Sequence, residues 1–194
     1  RRPRSEHRPQ SLGELDFRRV ESIELSFFEA RGADRREHMF RAGVIEDQAI
    51  SHGVQALTAI AMNAPQSVEN GHVTECRLEF QRSLRLRNPE RFVFGQYGAG
   101  FDYRSSYQQE IDEWETFHCH GDERSRKPEL PRDRPTYFAG TFESTLPRWS
   151  GLDENGQPHL DVDQQPYAPT VFAIRHMLRA SAKCIRLAIT FRRP

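Results

Sequence analysis

The sequence predicts a mainly α chain: a small antiparallel helical bundle, a long extended aromatic and Pro-rich strap, and a C-terminal amphipathic helix. Three observations predict it. Apolar residues recur at helical spacing through residues 11–88. Residues 127–169 carry Pro128, Pro131, Pro135, Pro147, Pro158, Pro166 and Pro169, and no period of 3.6 or 2 persists there. Residues 170–194 then present an apolar stripe flanked by basic residues.

Residues 1–10 form a basic, Pro-containing arm. Its Arg-rich, acid-poor composition resembles a transit-peptide remnant, which points to a mitochondrial location. Ser11 and Glu14 have the spacing of a capping box, and Leu12, Leu15, Val20, Ile23 and Phe27 follow as one apolar face of a first helix ended by Gly32. Asp34 and Glu37 repeat the box for a second helix, up to Gly43. Ile45, Ala49, Val54, Leu57, Ile60 and Ala61 make the stripe of a third, stopped at Pro65. Ser67 caps a fourth, with Val73, Cys76, Phe80 and Leu84 inward and Pro89 at its end. Short connections favour antiparallel packing of such neighbours.

Residues 89–124 change character. Phe92, Phe94, Tyr97, Phe101 and Tyr103 sit among Gly95, Gly98 and Gly100, as suits a hairpin or a loop laid on a surface. The glycine order is not the dinucleotide fingerprint, and no Gly-Lys-Ser/Thr follows for a phosphate loop. A short acidic helix is expected over residues 108–118. Residues 125–169 are the strap, whose Phe138, Phe142, Trp149 and Tyr167 are expected to plug into pockets on the bundle or on a partner. Thr170 opens the last helix, with Val171, Ile174, Met177, Leu178 and Ile185 on its stripe. Arg175, Arg179 and Arg186 lie off that stripe, as a partner-facing basic surface.

Composition bounds the function. Only 36% of the 194 residues are hydrophobic and 29% are charged, a lean core for one domain. Formal net charge is zero, which makes nucleic acid an improbable partner, since phosphate neutralisation needs a basic excess. The cations are 26 arginines against Lys127 and Lys183. Cys76, Cys119 and Cys184 lie far apart, which excludes a disulfide scaffold and indicates a reducing compartment. No apolar run reaches the roughly 18 residues of a membrane span, so membrane contact would be peripheral.

The one constellation with the look of chemistry is His118-Cys119-His120. Imidazole and thiolate ligate zinc or copper, so His118 and His120 are the candidate metal ligands, with zinc the candidate ion and Asp122 or His159 completing the set. Residues 114–120 resemble the Trp-x-x-His-Cys-His segment of multicopper oxidases, in which Cys and His ligate different coppers. That resemblance does not carry over: Trp114 stands one residue too far from His118, and Arg124 occupies the position of the family's next His. No G-x-S-x-G elbow or other catalytic signature is present.

Taken together, these observations predict a non-catalytic accessory subunit of a large multiprotein assembly, such as a mitochondrial energy-converting complex, with other protein subunits as partners and no organic cofactor. The alternatives are a small zinc-binding protein or metalloenzyme centred on His118 and His120, and an RNA-binding organellar ribosomal protein.

Overall fold

The computed structural model of the chain describes residues 17–34, 36–68, 70–99, 105–118 and 129–192. Its centre is a six-stranded mixed sheet, not a helical bundle. Strand β1 is Val20–Glu29, β2 Leu84–Arg87, β3 Val93–Gly95, β4 Tyr137–Ser144, β5 Val171–Leu178 and β6 Cys184–Phe191. The order is β2-β4-β5-β1-β6, with β3 also on β4. Only β1 and β5 run parallel; every other pair is antiparallel.

The strands form where side chains alternate. In β1, Ile23, Leu25, Phe27 and Glu29 share one face; they stand beside Phe172, Ile174, His176 and Leu178 of β5. Ser22, Glu24 and Ser26 take the other face. The same alternation makes β4 and β5 strands: Phe138 lies beside His176 and Phe142 beside Phe172. The predicted mainly α architecture is therefore corrected. The first and last expected helices are strands β1, β5 and β6, and the expected strap contains β4.

Helices cover the face of Ile23 and Phe172. They are α1 (Glu37–Val44), a π-helix (Ile45–Val54), α2 (Gln55–Ala61) and α3 (Asn70–Ser83). Phe80 of α3 meets Phe172 edge-on at 5.5 Å between ring centres, and Trp149 meets it at 5.5 Å. Trp149 Nε1 donates to Ala61 O at 2.8 Å, so its one polar atom is satisfied where it is buried. The π-helix comes closest to the sheet at Gly53: a Cβ there would stand 2.9 Å from Cγ2 of Ile174, so a larger residue would push the helix off. A further helix, α4 (Tyr107–His118), packs Tyr107 and Trp114 against Phe40 of α1. The short α5 (Pro147–Ser150) carries Trp149. Among the described residues no helix is long and apolar enough to cross a membrane.

Candidate functional site

The parallel pair β1–β5 ends at one edge of the helical layer, and polar groups from four segments meet there. At the end of β1, Glu29 points to the helix side. Two residues before the end of β5, His176 occupies a core position and is fully buried. Its Nε2 lies 4.0 Å from Glu29 Oε1, and its ring stacks at 6.5 Å on Phe27. The chain after β1 turns back so that Arg36, just before α1, reaches Glu29 Oε2 at 3.3 Å and donates to Gly32 O at 2.6 Å. The π-helix supplies Asp47 and the exposed His52, both near enough to act electrostatically on His176.

Neither ring nitrogen of His176 has a hydrogen-bond partner among the described residues. Burial holds its pKa down to about 4, against the pull of Glu29 and Asp47 and with the repulsion of Arg36 and His52. His176 is thus a neutral imidazole at physiological pH with both nitrogens free. A buried polar group left unmatched is uncommon in folded chains and asks for an explanation. π-helical turns within helices also gather at functional sites, and open sheets with parallel strands bind ligands beyond the carboxyl ends of those strands.

A second polar group lies behind the turn of residues 30–34. Glu110 of α4 is buried; its Oε2 accepts from Tyr97 Oη at 2.7 Å and from Asp34 N at 3.0 Å, and its Oε1 pairs with Arg179. Tyr97 Oη in turn accepts from Ala33 N at 2.9 Å. Arg179 lies 4.5 Å over the Tyr97 ring. Burial pushes the Tyr97 hydroxyl pKa well up, so it stays protonated and donates to Glu110. Gly32 makes room for this group: a Cβ there would fall 2.6 Å from Glu110 Oε1, so a larger residue would displace the carboxylate.

The residues singled out in sequence lie elsewhere, except Arg179. His118 ends α4, stacked on Trp114 at 4.3 Å with its Nδ1 2.8 Å from Trp114 O; His120 lies outside the described residues. Among the described residues no cluster of three or more His, Cys, Asp or Glu is placed to hold a metal. Phe138 and Trp149 fill this chain's own core, and Phe142 packs beside it. Tyr167 is half-buried beneath the Arg192 guanidinium. Arg175 is exposed and paired with Glu24 at 3.1 Å, and Arg186 is exposed on β6. Reading from the sequence missed Glu29, Arg36, Asp47, His52 and His176. The signal for His176 was a polar residue at an inward step of the series Phe172, Ile174, His176, Leu178.

Comparison with known proteins places the chain. Residues 15–153 match the family described as glucose-6-phosphate dehydrogenase, C-terminal domain. The glucose-6-phosphate 1-dehydrogenase of Schizosaccharomyces pombe is 26% identical over 134 residues, 69% of this chain and 25% of that protein. The Caenorhabditis elegans enzyme of the same name is 27% identical over 136 residues, 69% of this chain and 24% of that protein. A solved glucose-6-phosphate dehydrogenase in complex with its substrate glucose-6-phosphate superposes with a TM-score of 0.64 at 20% identity, over 90% of this chain and 30% of that one. The glucose-6-phosphate 1-dehydrogenase of Mycobacterium avium gives a TM-score of 0.57 at 18% identity, over 89% of this chain and 29% of that one. The chain thus spans about a quarter of its curated relatives.

These findings correct the functional expectations. The matched family and the relatives are enzymes by name, which overturns the non-catalytic accessory subunit, the energy-converting complex with its other protein subunits, and the alternatives of a metalloenzyme at His118 and His120 or a ribosomal protein.

Proposed function

The chain belongs to the glucose-6-phosphate dehydrogenase C-terminal domain family, and we propose that it forms part of an enzyme that oxidises a phosphorylated aldose. The observation that carries this reading is buried His176 beside Glu29 near the carboxyl ends of the parallel strands, with Asp47 and His52 of the π-helix close enough to act on it electrostatically.

Oxidising a sugar hydroxyl to a carbonyl passes a hydride from carbon to an acceptor, which NADP would be in this family, and a proton from oxygen to a base within reach. His52 is the exposed imidazole of the group, open to a substrate, and we assign it that role. Asp47 lies about one helical turn back on the same π-helix. His176, buried and neutral, stands behind this group beside Glu29 and does not itself face solvent.

Glucose-6-phosphate dehydrogenases bind NADP, so the expectation of no organic cofactor does not extend to the family. The described residues do not fit that group. The turn after β1 reads Ala30-Arg31-Gly32-Ala33-Asp34, without a glycine fingerprint, and α1 begins with an acidic first turn at Glu37, which repels phosphate.

The test is steady-state kinetics with glucose-6-phosphate and NADP, on the protein as its source produces it and on its His52→Gln variant. Loss of a general base lowers kcat by about 100- to 10,000-fold, with KM for the sugar phosphate changed little. Unaltered kcat in the variant, or no turnover by the parent protein, sinks the reading.

A further inference from the structure

Between Glu29 and Arg36, both members of the candidate site, the chain makes a tight turn. Three backbone groups of that turn are claimed by the second polar group. Asp34 N donates to Glu110, Ala33 N donates to Tyr97 Oη, and Arg31 O accepts from Arg179 N at 3.0 Å. Gly32 lies flat against Glu110, Tyr97 and Arg179. Asp34 and Arg179 both hold positive φ, 49° and 55°, conformations that persist where surrounding contacts over-determine them. Three distant segments thus converge on one carboxylate, and that carboxylate bonds to none of the reacting groups proposed above.

We propose that Glu110 is a positioning residue: through Tyr97 and Arg179 it locks the turn of residues 30–34 and so fixes Glu29 and Arg36 beside His176. This rests on the reading of the Glu29–His176 group as the site. The chemistry suits the task. A carboxylate accepting from a phenol, a backbone amide and a guanidinium uses both its oxygens in charge-assisted bonds, which are directional and strong. A turn held by such bonds keeps water from His176, which lies between Phe27 and Phe138 in the sheet, with Glu29 and Arg36 flanking the turn and Asp47 and His52 of the π-helix as the charged or titratable groups that act on it.

Glu110→Gln keeps the shape and removes the charge that holds Arg179, the Asp34 amide and the Tyr97 hydroxyl. Tyr97→Phe removes only the acceptor for Ala33 N and the donor to Glu110. Hydrogen exchange, followed by NMR, reads the turn directly. Both variants are expected to exchange the Ala33 and Asp34 amides about tenfold faster or more, while the amides of Phe172 and Ile174 keep their protection. In the same samples the His176 titration midpoint rises toward the ordinary histidine value as water reaches the ring. A stabilising role alone would speed exchange throughout and leave that midpoint in place. Unchanged exchange at Ala33 and Asp34, or an unmoved His176 midpoint, overturns the proposal; if Glu110→Gln fails to fold, Tyr97→Phe decides it. Turnover is measured separately. Absence of sugar-phosphate oxidation in the parent protein removes the enzymatic reading and leaves the exchange result to decide whether Glu110 holds the turn.

Discussion

Two polar groups share the turn of residues 30–34, and they meet the cost of burial in opposite ways. Glu110 is hydrogen-bonded by a phenol, an amide and a guanidinium. His176 is as deeply buried and has no hydrogen-bond partner for either nitrogen among the described residues. A buried charge survives only when paired, whereas a buried imidazole escapes the problem by remaining neutral. The saturated group has nothing left to offer a ligand and acts as framework. The unsaturated one keeps both a donor and an acceptor in reserve, beside an exposed histidine and two carboxylates. Burial alone therefore does not mark a site in this chain; His176 differs from Glu110 in keeping its hydrogen-bonding capacity unspent.

Breaking the framework side gives the largest effect. Glu110→Ala leaves the Arg179 cation nearly buried with no counter-charge, and removing one partner of such a pair costs about 3–5 kcal/mol. Urea unfolding of parent and variant reads it; a loss under about 1 kcal/mol would show that the pair is hydrated after all. The other side of the comparison is probed by pH. Above pH 6.5 neither folded nor unfolded chain protonates this histidine, and His176 adds nothing to the pH dependence. As pH falls from 6.5 to about 4, the unfolded chain takes the proton and the folded chain refuses it. Stability is lost across that window, by roughly 3 kcal/mol, and the loss levels off below it. His176→Leu, similar in size and free of a charge to exclude, removes that component of the slope. Identical pH slopes for parent and variant would mean that His176 is protonated in the fold.

Why this site escaped the sequence, and why the sheet did, has a common physical origin. A spacing of four residues is one turn on a helix and an even step on a strand, so Ile23 and Phe27, or Ile174 and Leu178, fit both periods. The intermediate residues decide. Leu25 between Ile23 and Phe27, and His176 between Ile174 and Leu178, place every second residue inward, which is the strand pattern. The helices of residues 37–61 and 70–83 were legible because Ala49, Leu57 and Phe80 belong to stripes that no alternation reproduces. The site was not legible as a motif. Glu29 and His176 are brought together by the parallel pairing of β1 with β5, and the packing of the π-helix on β5 adds Asp47 and His52; no local spacing records either. His118 and His120 stand only two residues apart in sequence, a weaker criterion for a site than neighbourhood in the fold.

The smallest effect sharpens the comparison most, because it comes from the same helix. Facing solvent, α4 also offers Asp112 and Glu115 to Arg132, at 2.7 and 2.8 Å. Chemically this is the Glu110–Arg179 arrangement again, carboxylate to guanidinium, and the bond from Asp112 raises the Arg132 pKa further. What differs is solvent: the Arg132 side chain is 41% exposed and that of Arg179 12%. Exposed pairs contribute between about 0 and 1 kcal/mol, since water solvates either partner when the other leaves, and salt screens what remains. Arg132→Ala is accordingly expected to shift stability by no more than about 1 kcal/mol, with the difference shrinking as salt is added. Urea unfolding at low and high salt measures both. A loss equal to that of Glu110→Ala, and insensitive to salt, would show that residues 129–132 are held to α4 as firmly as the turn of residues 30–34, and that exposure is not what separates the two arginines.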